Sequence, residues 1–114
     1  MKRESKPIAP RHFRALTRRW YEEVTDTYAL EPHHLHLLAL ACQALDRAED
    51  AREAIATHGT TFEDRFGSPR ARPEVAIERD ARVAFARLVR ELDLDADLPP
   101  PGSRPPALRS NRRS

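Results

Sequence analysis

Apolar residues recur at helical spacing throughout residues 31–59, the longest periodic stretch of the chain. One series places Leu35, Leu38, Cys42 and Leu45 three or four residues apart. A second series is offset around the same helix and consists of Leu37, Leu40, Ala41, Ala44, Ala48, Ala51 and Ile55. The pattern predicts a long helix with two apolar faces, buried from two sides in its first half and mostly wet in its second.

Both ends of this helix carry recognisable signals. Pro32 stands where a first helical residue tolerates a missing N–H, and Gly59 stands where a left-handed cap is favoured. About 26 residues at about 1.5 Å each give a rod of roughly 39 Å. Two shorter helices would not comfortably cover its apolar surface, so the alanine-rich series predicts contact with a neighbouring subunit. An asymmetric monomeric bundle of three helices is the alternative.

Residues 11–28 predict a first helix, with Phe13, Leu16, Trp20 and Val24 within one narrow arc. The opposite face then presents a row of guanidinium groups to solvent, from Arg11, Arg14 and Arg18. Such a row can contact phosphates. It is also an ordinary solvated helix face, and both interpretations stay open.

A third helix follows a short non-helical segment. Residues 60–66 are typical of extended structure and residues 67–69 of a turn, which together predict a brief hairpin or extended loop. Pro73 and Glu74 begin the third helix, whose core face is Ile77, Ala81, Ala84, Phe85, Leu88 and Leu92. The predicted fold class is therefore all-α, a three-helix oligomerisation domain with a long central helix.

The charge distribution divides the chain of 114 residues more sharply than its net charge of +2 suggests. Both ends are strongly basic and the body between them is acidic. We expect a flexible basic arm at residues 1–10, one helical domain at residues 11–98 and a disordered Pro/Arg-rich tail at residues 99–114. Basic ends suit a nucleic-acid backbone, whereas solubility and contact with acidic neighbours is the alternative explanation.

The chain offers little for catalytic or metal chemistry. His33, His34 and His36 are too close together to share a helix face, so they predict polar first-turn residues and no metal site. Cys42 lies in an apolar series and predicts a buried thiol. Since the sequence has no phosphate-binding glycine loop and no nucleophile elbow, we expect neither enzyme activity nor a cofactor. Without a membrane-spanning run or a secretory signal, a cytoplasmic location is expected.

The order of these signals resembles the short helical type of phage terminase small subunit. The resemblance covers residues 10–98 and rests on Pro10, Trp20, the alanine-rich helix ending at Gly59, Thr61, Phe62, Gly67 and the Pro73-Glu74 pair. It implies a homo-oligomer, commonly a ring, that takes part in recognising viral DNA in the host cell cytoplasm. The resemblance further implies delivery of this DNA to the large terminase subunit, which in the family carries the ATPase and nuclease.

The resemblance also suggests which residues serve each partner. Many small terminases carry a separate helix-turn-helix domain, whereas only ten residues precede the first predicted helix here, so we expect non-specific contact with phosphates of double-stranded DNA. The DNA-contacting candidates are Lys2, Arg3, Lys6, Arg11, Arg14 and Arg18. The alanine-rich series from Leu37 to Ile55 is the candidate oligomer interface. The candidates for docking the large subunit are Arg104, Arg109, Arg112 and Arg113.

Two other classes of function stay open at this point. One is a small helical DNA-binding regulator that acts as a dimer through the arginines of the first helix. The other is a helical protein-interaction module whose proline- and arginine-rich tail is the ligand.

Overall fold

The computed structural model of the chain describes residues 7–94. Three helices and one hairpin follow in the order α1 (Ala15–Thr27), α2 (Pro32–His58), β1 (Thr61–Glu63), β2 (Pro69–Ala71) and α3 (Pro73–Leu92). The predicted fold class, with its long central helix and its hairpin before the last helix, is confirmed. Most of the predicted basic arm, residues 1–6, and all of the predicted tail, residues 99–114, lie outside the described residues.

The main packed pair is formed by α2 and α3, and α1 makes a smaller contact with α2. Small side chains explain the close approach of the pair, since Ala48 and Ala51 of α2 and Ala81 of α3 are all buried. The hairpin reverses the chain between the two helices. As a result α3 of the same chain lies along the alanine-rich series that the sequence assigns to a neighbouring subunit.

The ends of α2 and α3 follow their sequence signals. Pro32 and Pro73 are the first residues of their helices, as predicted, and Glu74 lies in the first turn of α3. The left-handed cap predicted at Gly59 is wrong in detail, because its φ is 84° but its ψ is −173°. Glycine is still required there, since a Cβ makes this combination unfavourable.

The start of α1 differs from the prediction. The helix begins at Ala15 instead of residue 11, because residues 10–13 form a turn, closed by a 3.3 Å hydrogen bond from the Phe13 N–H to the Pro10 carbonyl. Phe13 therefore lies outside the helix, and the predicted arc is wrong at Leu16, which is 73% exposed. Val24 is buried, as predicted, and Thr17 and Tyr21 of α1 are buried where the arc had placed Leu16.

One apolar cluster joins all three helices. Its buried members are Ala9, Phe13, Tyr21, Val24, Leu38, Cys42 and Leu92. Two ring contacts reinforce it, between Phe13 and Tyr21 at 6.0 Å and between Trp20 and Phe85 at 5.6 Å. The burial of Ala9 means that the end of the predicted flexible arm is anchored to the domain.

Within residues 7–94, none of the three helices combines the length and the apolar character that crossing a membrane requires.

Candidate functional site

The first turn of α1 is held by a carboxylate of α2. Asp46 accepts a hydrogen bond from the backbone N–H of Arg14 at 3.1 Å and another from the hydroxyl of Thr17 at 2.6 Å. Arg14 is the residue that precedes α1, and no side chain of α1 itself caps this end. Asp46 therefore supplies from another helix both the hydrogen-bond acceptor and the negative charge that a helix N-terminus favours.

The side chain of Arg14 extends this contact along α2. Its guanidinium group donates to the carboxylates of Asp50 and Glu53, which lie one and two turns beyond Asp46. The hydrogen bond with Glu53 raises the pKa of Arg14, burial opposes the rise, and the bond with Asp50 adds to it. The predicted row of three solvent-facing guanidiniums is therefore wrong at Arg14, because this group is paired with the acidic face of α2.

The other two arginines of the predicted row, Arg18 and Arg11, differ in their exposure and in their contacts. Arg18 turns back on the segment before α1, where it donates to the carbonyl of Arg11 at 2.8 Å. Its Nε is buried and has no hydrogen-bond partner. Arg11 is exposed. Of the DNA-contacting candidates within residues 7–94, Arg11 is thus the most available to a phosphate, and Lys2, Arg3 and Lys6 lie outside the described residues.

The predicted oligomer interface is divided between two environments. Ala41, Ala48 and Ala51 are buried within the chain, and Leu37 packs against the apolar cluster. Ala44 lines a cleft between α2 and α3 together with Ile77, Ala81 and Ala84. Ile55 is half-buried, and Leu40, at 49% exposure, is the member most open to another subunit. The predicted docking residues for the large subunit, from Arg104 to Arg113, lie outside the described residues.

The hairpin tip is closed by hydrogen bonds of Asp64, a residue that sequence analysis did not single out. The carboxylate of Asp64 accepts from the N–H groups of Phe66 at 2.8 Å and Ser68 at 3.0 Å, and from Nε of Arg70 at 2.9 Å. These bonds, that of Ser68 first, lower the pKa of Asp64. Gly67, with φ of 80°, completes the turn by donating to the Asp64 carbonyl at 2.9 Å. The sequence does contain the signal for this turn, because Asp64 occupies its first position and Gly67 its fourth, where aspartate and glycine are favoured.

The outer end of this turn is apolar and aromatic. Phe66 is 81% exposed, and the guanidinium of Arg65 lies 5.4 Å from the centre of its ring. Phe62, on β1 and opposite Arg70, is 41% exposed. The hairpin thus presents an aromatic ring and a cation on a turn that its own hydrogen bonds hold in place.

A groove of about 500 Å³ lies between α1 and α2. Its lining is formed by Arg14, Ala15, Leu16, Thr17, Leu45 and Glu49. Leu16, which the sequence analysis had placed in the core, is 73% exposed in this groove. The groove combines an apolar floor with an acidic edge on α2.

Two reactive side chains of α2, His34 and Cys42, take part in its capping and in its burial. Nδ1 of His34 accepts a hydrogen bond from the Glu31 N–H at 3.3 Å, which confirms it as a polar first-turn residue. Cys42 is fully buried, as predicted, and burial raises the pKa of its thiol to about 12. Within residues 7–94 the structure brings together no group of three or more histidine, cysteine or acidic side chains that could hold a metal ion.

The fold is that of a small all-helical protein with a long central helix and an inserted hairpin. The model of the family described as phage terminase, small subunit, matches residues 14–97, which is about three quarters of the chain. The chain belongs to this family, as its helix order suggested. No match was found among curated proteins or among solved structures.

We expect Asp46→Ala to lower the free energy of unfolding by about 2 kcal/mol. The change removes the acceptor from the N-terminus of α1 and leaves the Thr17 hydroxyl without a partner in a side chain that is 2% exposed. Urea unfolding of the variant at fixed chain concentration measures the loss.

Asp50→Ala is the matched control for Asp46→Ala, because it removes a carboxylate of the same face while Arg14 keeps its bond with Glu53. We expect a smaller loss from this control. The double variant Asp46→Ala with Thr17→Val should recover part of the loss, since no hydroxyl is then left unpaired. Equal losses for Asp46→Ala and Asp50→Ala would contradict the capping role.

Proposed function

We propose that the chain is a non-enzymatic, oligomeric adaptor of viral DNA packaging that engages viral DNA and recruits or regulates the large ATPase/nuclease subunit. The observation that carries this proposal is the match of the terminase small-subunit family over residues 14–97. Its place of action is then the cytoplasm of the infected cell during virion assembly. The partners are other copies of the chain, in a ring, the large subunit and double-stranded DNA.

Self-association is supported by the apolar side chains that a single chain leaves exposed. Leu16, Leu40, Phe66 and Val83 are each between 49% and 81% exposed. Scattered exposed apolar residues are ordinary in a monomer, but here Leu16 lines a groove and Phe66 lies in a turn that its own hydrogen bonds close. We propose that neighbouring subunits cover Leu16, Leu40 and Phe66.

DNA contact is proposed to run through phosphates from the N-terminal arm and the start of the domain. Arg11 is exposed and follows Lys2, Arg3 and Lys6 within the first eleven residues, and together the four carry four positive charges. Arg14 contributes less in this proposal, because carboxylates of α2 already neutralise it. Contacts of this kind are sequence-independent and weaken steeply with salt.

The dimeric DNA-binding regulator is less well supported than the adaptor. It requires Arg11, Arg14 and Arg18 to act together on one face, whereas Arg14 is paired with α2 and Arg18 is folded back on a backbone carbonyl. For the large subunit, we propose docking through the four arginines of residues 99–114, whose charge suits an acidic surface.

Replacing Lys2, Arg3, Lys6 and Arg11 together with alanine is expected to make DNA binding less sensitive to salt. Each lost phosphate contact lowers the slope of log affinity against log salt concentration by roughly 0.9. The slope is measured by titrating a fluorescent duplex with the full-length protein between about 50 and 200 mM salt.

The matched control replaces the same number of exposed arginines on α3, namely Arg79, Arg82, Arg87 and Arg90. It changes the net charge of the chain equally but leaves the N-terminal segment intact, so its salt slope should stay close to that of the natural protein. If the salt slope falls equally in both variants, DNA binding depends only on the total charge of the chain and not on the N-terminal segment. A natural protein that fails to bind the duplex at about 50 mM salt would contradict the DNA-binding part of the proposal.

A further inference from the structure

Two surfaces of the chain, each open in the structure, complement one another. The first is the hairpin tip, where Phe66 is 81% exposed beside Arg65. The second is the α1/α2 groove, where Leu16 is 73% exposed beside Leu45 and Glu49. One surface is a projecting aromatic ring with a cation, and the other is an apolar depression with an acidic edge.

The hairpin tip is prepared for docking by its own hydrogen bonds. Asp64 fixes the turn through the Phe66 and Ser68 N–H groups and through Arg70, and the pair of strands is closed at its base by the Arg72 N–H and the Thr60 carbonyl at 2.9 Å. A turn held in this way loses little conformational freedom when it binds. Preorganisation of this kind raises affinity by lowering the entropic cost.

The charges of the two surfaces are opposite. Asp46, Glu49, Asp50 and Glu53 follow one another along α2 at and beside the groove. Arg14 bonds to both Asp50 and Glu53, and Arg52 bonds to Glu49 at 3.3 Å, so two guanidinium groups face four carboxylates and do not neutralise them all. The groove edge therefore stays acidic and suits the cation of Arg65, which accompanies the ring of Phe66.

The two surfaces do not meet within one chain. Gly59 lies fourteen positions beyond Leu45, a distance of roughly 21 Å along the helix axis. No residue of the hairpin belongs to the lining of the groove, and Phe66 contacts mainly solvent. A second copy of the chain is the partner that offers the complementary surface to each.

We propose that the hairpin tip of one copy docks in the α1/α2 groove of the next, with Phe66 against Leu16 and Leu45 and Arg65 facing Glu49. This inference rests on the self-association in the proposed function and names its contact. The interface is heterologous, since it joins two different surfaces. Repeated contacts of this type close into a ring when the rotation between neighbours permits, and otherwise continue as an open chain.

The test uses two full-length variants, Phe66→Asp and Leu16→Asp, each of which destroys one of the two surfaces. Both positions are exposed, so the helical circular dichroism spectrum should be unchanged. Absolute mass by light scattering should show a large assembly for the natural protein and single chains of about 13 kDa for each variant alone. The matched control, Val83→Asp, alters another exposed apolar residue outside both surfaces and should keep the full assembly.

Mixing the two variants gives the decisive measurement. Phe66→Asp retains an intact groove and Leu16→Asp retains an intact hairpin, so the mixture should form a one-to-one heterodimer of about 26 kDa and nothing larger. A mixture that remains at about 13 kDa would overturn the proposed contact.

The outcomes separate this inference from the proposed function. If the natural protein assembles and both variants assemble equally well, the hairpin contact is wrong while self-association stands. If the natural protein is a single chain at micromolar concentration, self-association and the contact both fail. If Phe66→Asp keeps its mass but loses affinity for a DNA duplex, the hairpin binds nucleic acid and the inference is overturned.

Discussion

Replacing Leu38 with alanine is expected to lower the free energy of unfolding by about 3 kcal/mol, through lost apolar burial and the cavity left behind. Leu38 is one of the two largest fully buried side chains in residues 7–94. It lies in the cluster that joins Phe13 and Tyr21 to Leu92, so its loss weakens contacts among all three helices. Urea unfolding, followed by helical circular dichroism at fixed chain concentration, measures the change.

Leu40→Ala is the matched control, since it makes the same chemical change two residues further along α2 at a position that is 49% exposed. We expect it to cost less than about 1 kcal/mol in a single chain. Light scattering then separates the two variants further. Leu38→Ala should leave the assembled mass of the folded protein unchanged, whereas Leu40→Ala should reduce it if Leu40 belongs to a subunit interface. Equal losses of stability would contradict the assigned core.

Local signals in the sequence were sufficient to predict the fold class and most helix ends. Pro32 and Pro73 define helix starts because proline fits the first helical position and no later one. The start of α1 was harder to predict. Its cap is Asp46, some thirty residues away, so nothing adjacent to Ala15 signals where the helix begins. Because the predicted arc counted Phe13 as a helical residue, it placed Leu16 on the core face.

The candidate surfaces were less predictable than the fold, because each depends on pairs of residues distant in sequence. A row of arginines indicates a phosphate-binding face only if no carboxylate reaches it. The acidic residues of α2 that meet Arg14 lie 36 and 39 positions further along the chain. The alanine-rich series likewise predicts close helix packing, but its spacing does not say whether the partner is α3 or another subunit.

The same contacts give the charged face of α2 a definite part in the proposed adaptor. Asp46 and Arg14 fix α1 on α2, which positions the exposed Leu16 beside Leu45. Loss of this cluster should therefore disturb the groove as well as stability. For this reason Asp46→Ala and Leu16→Asp should both affect the α1/α2 groove, although only Leu16→Asp directly removes a docking side chain.

Alkaline pH is expected to destabilise the folded chain through Cys42. Burial first, and then the nearby charge of Asp46, raises the pKa of the Cys42 thiol from 9.0 to about 12. The folded thiol thus keeps its proton in a range where the unfolded thiol loses it. Since the unfolded chain then binds fewer protons, the free energy of unfolding falls as pH rises from about 9 towards 12, by at most about 1.4 kcal/mol for each pH unit.

Cys42→Ala supplies the comparison, because it removes this thiol and leaves the other titrating groups in place. The pKa of Tyr21 is also raised above its ordinary value of 10.0, by burial and then by the charge of Cys42. Ionisation of Tyr21 in the unfolded chain therefore also lowers the free energy of unfolding, mainly above pH 10. Between pH 9 and pH 10, therefore, the expected loss of stability comes mainly from Cys42. Urea midpoints across that interval should fall for the natural protein and stay nearly level for Cys42→Ala. Parallel slopes for the two proteins would mean that Cys42 keeps an ordinary pKa and that its site admits water.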